Sequence, residues 1–384
     1  MQGIAYALLA AALFGASTPL AKLLVSQLTP AMLAGLLYAG SGIGLSAWLL
    51  IRFLRQTVQA RRAGPRDRAG HVGDYSAAQQ VASLGRADVG WLAAAILAGG
   101  VAGPLLLMTG LRSMPASSAA LLLNLEGVLT ALLAWFVFHE NFDRRILLGM
   151  TAIVGAGLLL SWPGGPAPSS LPSTGSDLNL GLNLAPGALA IAGACLCWAL
   201  DNNLTRKVAA SDAVQIAAWK GVVAGSVNLT LAAVLGAPWP PMSSVLAAGL
   251  LGFCGYGLSL VLFVLALRHL GSARTGAYFS AAPFVGAALA IALLHEPTDA
   301  RFWLAGALMG LGLWLHLSER HGHQHEHEPL LHTHEHVHNA AELHHQHEHT
   351  FAWDGTSPHT HRHQHQAIAH THAHFPDIHH RHRH

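Results

Sequence analysis

The chain has 384 residues and a formal net charge of +2, too small to call for a nucleic-acid partner. Its last 64 residues, 321–384, hold 23 of the 28 histidines and form a compositional class of their own. Residues 1–320 carry only 30 charged side chains, nine of them within 53–88, against roughly one residue in four for a soluble domain; this excludes a cytosolic enzyme or secreted domain and leaves a polytopic membrane protein.

In chain order, ten apolar segments approach the roughly 20 residues that a helix needs to cross lipid: 4–24, 31–51, 89–111, 116–138, 145–162, 186–204, 213–235, 244–267, 273–294 and 301–318. The first lacks a basic flank and a clear cleavage site and reads as a retained span. Short links at Arg112–Pro115 and Gly271–Ser272 imply tight antiparallel hairpins. With both termini inside, inner loops hold thirteen Lys or Arg and outer ends three, which predicts cytoplasmic termini in a multi-pass protein of the cytoplasmic (inner) membrane. Trp48, Trp91, Trp162, Trp239 and Trp303 sit near span ends, as interfacial anchors do. Gly40/Gly44, Gly99/Gly103, Gly221/Gly225 and Gly306/Gly310 have the spacing of helix-packing faces. Cys195, Cys197 and Cys254 fall in apolar runs and give neither a disulfide framework nor a thiolate zinc site.

The two halves repeat. Shifting by 156 residues lays His139–Glu140 on His295–Glu296, Asp143 on Asp299 and Arg145 on Arg301 without a gap; shifting by 184 lays Phe14 on Trp198 and Lys22 on Arg206. Five spans per copy is odd, so the second copy enters the membrane in the opposite sense, as in secondary transporters. The expected organisation is an all-α membrane protein of ten transmembrane helices. A first five-helix repeat (1–162, with cytoplasmic loop 53–88) and an external linker (163–185) precede a second repeat (186–318) and a His-rich cytoplasmic tail (319–384).

The stretch from Leu111 through Asn124 and Glu126 to Trp135 and Glu140 resembles the signature of the EamA-type transporters of the drug/metabolite transporter superfamily. Phe14-Gly-Ala-Ser-Thr-Pro19 resembles the family's first-helix motif, and Ala281-Ala-Pro283 with Leu294-His-Glu296 resembles its ninth helix. The resemblance covers about residues 3–318 and implies ten helices, two inverted repeats and alternating-access transport of small metabolites, often export. The enlarged basic loop 53–88 and the histidine tail depart from the family pattern.

Ionisable groups inside spans are costly and mark function. Glu126 lies near the centre of the fourth span and Lys220 about 12 Å into the seventh. Neither has a charged counterpart in the other copy, as Glu126 aligns with Ala282 and Lys220 falls close to Tyr38. Glu126 can exchange a proton or hold a cationic group and Lys220 a carboxylate; alternatively the two form a structural ion pair. Asn124, Tyr38 and Tyr278 complete the substrate or coupling candidates. Asp201-Asn202-Asn203 reads as polar residues reaching the interface. Glu140 and Glu296 are expected to pair with Arg145 and Arg301, and Pro19, Pro104 and Pro283 to break helices and free carbonyls. No nucleophile–base pair is evident, so neither catalytic residues nor a required cofactor is expected.

The tail alternates histidine with other residues: His321, His323, His325, His327; His332, His334, His336, His338; His359, His361, His363, His365; and His370, His372, His374. Imidazoles with ordinary pKa values near 6.5 are free at neutral pH to bind Zn, Ni, Co or Cu. Lacking a core, the tail is expected to be disordered without metal. Expected partners are a small-molecule substrate, the lipid bilayer and divalent metal ions at the tail. Three readings stay open: a metabolite exporter with a buffering or regulatory tail, a divalent Ni/Co/Zn transporter whose tail collects cargo, and a membrane-tethered metal store or sensor.

Overall fold

The computed structural model describes residues 2–62, 86–138, 144–162, 185–206, 213–317, 322–327, 331–336, 359–364 and 368–373. They divide into a helical unit, Met1–Leu50 with Leu84–Glu319, and a second unit formed by Ile51–Ser83 with Arg320–His384.

The helices are α1 (Gln2–Val25), α2 (Pro30–Arg62), α3 (Arg86–Ala95), α4 (Gly103–Ser113), α5 (Ala116–Leu122), α6 (Leu125–Phe138), α7 (Arg144–Ser161), α8 (Pro186–Arg206), α9 (Ala213–Val234), α10 (Met242–Gly252), α11 (Ser259–Phe279), α12 (Ala282–Leu294) and α13 (Ala300–Leu317); all belong to the helical unit except α2 from residue 51 on, which falls in the second. Leu and Ala dominate these segments and favour helix throughout, while apolar residues all round them suit a lipid surrounding. Seven stretches among the described residues are long and apolar enough to cross a membrane, and two shorter apolar helices cover 145–161 and 300–315. Ile43, Phe53, Leu97, Phe136, Leu148 and Leu246 are exposed, as are all five tryptophans expected as anchors. In water such a surface would aggregate; against acyl chains it costs nothing.

Inside, Leu33, Leu37, Leu107, Met108, Leu111, Leu121, Leu122 and Met309 are fully buried. α1 packs on α11 and α12, α8 on α4 and α6, and α7 on α13. α2 and α9 meet at glycine: a Cβ on Gly221 would come within 2.6 Å of the Gly42 backbone, and one on Gly225 within 2.6 Å of Ala39. Gly40 and Gly44 lie against Gly249 and Phe253, and Gly99 and Gly103 against Asp201 and Trp198. The expected Gly306/Gly310 face is looser, with the nearest atoms at 3.7 and 4.0 Å, so close approach is not what those glycines provide.

Two irregularities recur at one spacing. A π-helical turn, π1 (Ile96–Ala102), joins α3 to α4, and a second, π2 (Phe253–Leu258), joins α10 to α11. Helix breaks follow at Leu123–Asn124 and at Ser280–Ala281. The π-turn starts and the breaks are each 157 residues apart, close to the 156 of the sequence alignment.

The hairpin links differ from expectation in one place. Pro115 precedes α5, and its missing N–H ends the preceding helix as expected. Gly271–Ser272, by contrast, lies within continuous helix, α11. Glycine costs a helix only about 1 kcal/mol and removes no donor, so without proline the backbone can run on. Pro19 is likewise a correction, since α1 continues through it for six more residues.

The second unit contains four strands, β1 (Gly322–His327), β2 (Leu331–His336), β3 (His359–Gln364) and β4 (Ile368–Ala373). β1 pairs antiparallel with β4 and β2 with β3. These described segments of the tail are extended, for which the period-two histidine alternation is suited.

Candidate functional site

The break at Leu123–Asn124 positions the first functional side chain. The Asn124 side-chain amide donates to the Leu121 carbonyl at 2.8 Å, while the backbone N–H groups of Leu123 and Asn124 reach back only three residues. This local competition ends α5 and starts α6 in the middle of an apolar stretch. Glu126 therefore falls in the first turn of α6, where free N–H groups and the helix dipole favour a carboxylate. Its aligned position, Ala282, also opens a helix, α12. Asn124 itself turns toward α13, with Met309 Sδ at 3.8 Å.

Glu126 meets α8. Its Oε1 accepts from Asn202 Nδ2 at 2.9 Å. One residue earlier, Asp201 is 9% exposed and holds Lys220 of α9 at 2.5 Å. Thr205 completes the group, donating to Asp201 at 2.9 Å and accepting from Lys220 at 3.2 Å. So the pair weighed from sequence, Glu126 with Lys220, is replaced by Asp201–Lys220 beside Glu126–Asn202. Asp201 does not reach the interface but is buried. Asn203, next in the run, donates to the carbonyls of Ala199 and Thr130.

The π1 turn supplies the adjoining wall. In a π turn the Gly99 carbonyl would bond to residue 104, and in an α-helix the Gly100 carbonyl would do so; residue 104 is proline and offers no N–H. Side chains supply the missing donors. Tyr38 Oη and Trp198 Nε1 both donate to Gly99 O at 2.9 Å, and Asn228 Nδ2 donates to Gly100 O at 3.0 Å. Pro104 offers no N–H to either carbonyl, but the helical backbone runs on through it, and Pro283 opens α12. Pro19 removes the donor opposite Gly15, and that glycine packs against Ala282 and Gly286 of α12.

Tyr38 and Asp201 are linked through Gly99, because a Cβ there would strike the Asp201 carboxylate. From Tyr38 a line of rings continues: Tyr38–Tyr256 at 5.6 Å, Tyr256–Phe14 at 5.9 Å, Phe14–Phe279 at 5.5 Å and Phe279–Phe263 at 4.9 Å. The structure therefore brings Glu126, Lys220 and Tyr38 into one region. Tyr278 is half-buried near the end of α11, and among the described residues no bond or ring contact joins it to this group. From sequence Asp201 and Asn202 read as residues reaching the interface, and Thr205 and the ring line are not singled out; their polar or aromatic identity within spans is the available signal.

At one surface Lys22 Nζ donates to the Leu111 carbonyl and, at 2.9 Å, to that of Met114. Glu296 does not turn to Arg301, as expected, but accepts the backbone N–H groups of Ala116 and Ser117 at 2.7 and 2.8 Å, capping α5. Glu140 lies outside the described residues. Among the described residues no three His, Cys, Asp or Glu side chains come together as a metal site.

In the second unit the register sets His323 opposite His372 and His325 opposite His370. It also sets His332, His334 and His336 opposite His363, His361 and His359. His327 stands opposite Ile368. His321, His338, His365 and His374 lie outside the described residues.

Apolar helices closing on a charge-rich polar group, with Asp201 buried at its centre, are the build of a membrane transporter. The chain belongs to the EamA-like transporter family, whose profile matches residues 1–162 and 185–318. It is 27% identical over 307 residues to an uncharacterized transporter of Methanothermobacter thermautotrophicus, covering 79% of this chain and 82% of that one. Over 83 residues it is 36% identical to a probable 4-amino-4-deoxy-L-arabinose-phosphoundecaprenol flippase subunit, ArnE, of Pseudomonas fluorescens, covering 22% of this chain and 72% of that subunit. A solved crystal structure shares the fold at 18% identity with a TM-score of 0.54, covering 81% of this chain and 95% of its own.

Proposed function

We propose that the protein is a secondary active transporter that exports a small metabolite across the cytoplasmic membrane by alternating access. In this reading ten crossings form two inverted five-helix units, 1–162 and 186–318, with both termini in the cytosol. The observation that carries it is the recurrence of a π turn followed by a helix break at one spacing in both halves, on helices that flank a buried polar group. Glu126 and Lys220, with Asp201, are the groups this reading assigns to substrate or coupling. Metabolite profiling of cells lacking or over-producing the chain tests export: one compound should accumulate inside without it and outside with excess. Unchanged pools in both strains sink the assignment. Cysteine labelling tests topology, since residues 163–185 and the tail should label from opposite sides.

The tail adds a metal-responsive function. Two antiparallel pairings that set histidine opposite histidine support binding of Zn, Ni, Co or Cu, because directly opposed positions lie about 5 Å apart at Cα. Full-length protein should bind several zinc ions in equilibrium dialysis and protein lacking 321–384 almost none. Loss of metal flux, rather than of metal buffering, in the truncated protein would favour the divalent-metal transporter.

A further inference from the structure

We infer that the tail holds two separate sites for zinc or cobalt(II), one on the β1/β4 ladder and one on the β2/β3 ladder, each organised around a single central pair of opposed histidines. This inference rests on the metal-responsive reading of the tail above and says where in the tail the tight sites lie.

One opposed pair is not enough. Two imidazoles leave a tetrahedral ion two ligands short, whereas three imidazoles with one open position make a complete, exchangeable site. Along a strand, positions two apart share a face, and directly opposed positions on paired strands share it too. Opposed Cα atoms lie about 5 Å apart and successive pairs on one face about 7 Å apart. A patch of that size can gather three or four rings on one ion held by bonds of about 2 Å. Pairs two steps apart are separated by about 14 Å, too far for one ion to bridge. A third ligand must therefore come from the neighbouring pair.

That rule makes the histidines of each ladder unequal. In β2/β3 the pair His334 with His361 stands between His332 with His363 and His336 with His359. Take away an outer pair and four adjacent histidine positions remain; take away the central pair and the two that are left are out of each other's reach. In β1/β4 the central pair is His325 with His370, flanked by His323 with His372 on one side and by His327, opposite Ile368, on the other. There too only loss of the central pair leaves no three histidines adjacent. The intervening positions, such as Thr333 with Arg362 and Gln324 with Thr371, hold no histidine, so all the histidines of a ladder share one face.

The ligand chemistry names the class of ion. Neutral nitrogen donors without carboxylates or thiolates suit zinc and cobalt(II), not calcium or magnesium, which take oxygen. The ladders fix backbone positions, and the ion draws the rings together.

Zinc and cobalt(II), each added alone to purified full-length protein, test this. Two tight ions per chain, one for each ladder, should bind ahead of a weaker background, and cobalt should show the intense visible bands of tetrahedral coordination. His334→Gln with His361→Gln should weaken one of the two ions about tenfold or more, and so should His325→Gln with His370→Gln. His332→Gln with His363→Gln removes just as many imidazoles and should leave both ions tight. The same holds for His379→Gln with His380→Gln, which belong to neither ladder. Equal losses in all four double variants, or none in any, overturn the ladder sites while keeping a metal-binding tail. Weak, octahedral cobalt bands throughout overturn the three-imidazole ligand set. Protein lacking 321–384 that still binds the two ions overturns the tail reading and this inference with it.

Discussion

Lys220 reaches across from α9 to Asp201 on α8 at 2.5 Å, and both side chains are more than four-fifths shielded. A buried pair of this kind contributes little net stability, yet breaking it is costly because one charge is left without a counter-ion. Lys220→Met or Asp201→Asn alone should therefore destabilise the protein by about 3 kcal/mol, while the double substitution should recover most of that loss. Thermal unfolding of the four proteins in detergent reads the coupling. Additive single effects would show that the two charges do not depend on each other.

The π1 turn gives a second double-substitution test. Asn228 donates to a carbonyl that Pro104 leaves without a backbone partner. Asn228→Leu should cost about 1–3 kcal/mol by orphaning Gly100 O. Adding Pro104→Ala restores an N–H at residue 104, and the double variant should be more stable than Asn228→Leu alone. If proline replacement lowers stability equally in both backgrounds, the asparagine is not serving that carbonyl.

These two examples mark what the sequence could and could not say. Glu126 and Lys220 announced themselves because a charge inside an apolar run has few innocent readings. Asp201 did not, since it opens a polar run, Asp201-Asn202-Asn203, near a span end, where water is the default neighbour. Its burial depends on how α8 packs against π1, where Gly99 lies against Asp201 and its carbonyl accepts from Trp198, 99 positions away in the chain. Likewise Glu296 had Arg301 five residues away, and only the tertiary fold puts the amides of Ala116 and Ser117 closer. Span positions and the repeat were legible because they follow from local composition; partners across helices were not.

Glycine packing offers a contrast within one contact. A Cβ on Gly40 would collide with the Gly249 backbone, at 2.6 Å from its Cα, whereas a Cβ on Gly249 itself meets nothing within 4 Å. Gly40→Ala should force α2 off α10 and cost about 1–3 kcal/mol, while Gly249→Ala should be neutral or slightly stabilising. Folded yield by size-exclusion chromatography separates the two; equal tolerance would mean that the helices lie further apart than the structure has them.

The Glu296 carboxylate is shared between two consecutive amides at the start of α5, and Lys22 holds the end of α4 just before it. The link from α4 to α5 is thus gripped from both sides by charges complementary to the two helix ends. Glu296→Gln keeps an acceptor but loses its charge and one of its two oxygens, so it should lose about 1 kcal/mol; Glu296→Ala should lose about 2. Lys22→Met removes the only side-chain donor to Leu111 and Met114 found among the described residues and should act in the same direction. Because the grip joins α1 and the link after α12 to one corner, its loss should also expose that corner. A cysteine at Ser113 should react faster with a maleimide in Glu296→Ala than in its parent. Unaltered labelling, together with unaltered stability, would mean that Glu296 merely rests against α5 and holds nothing.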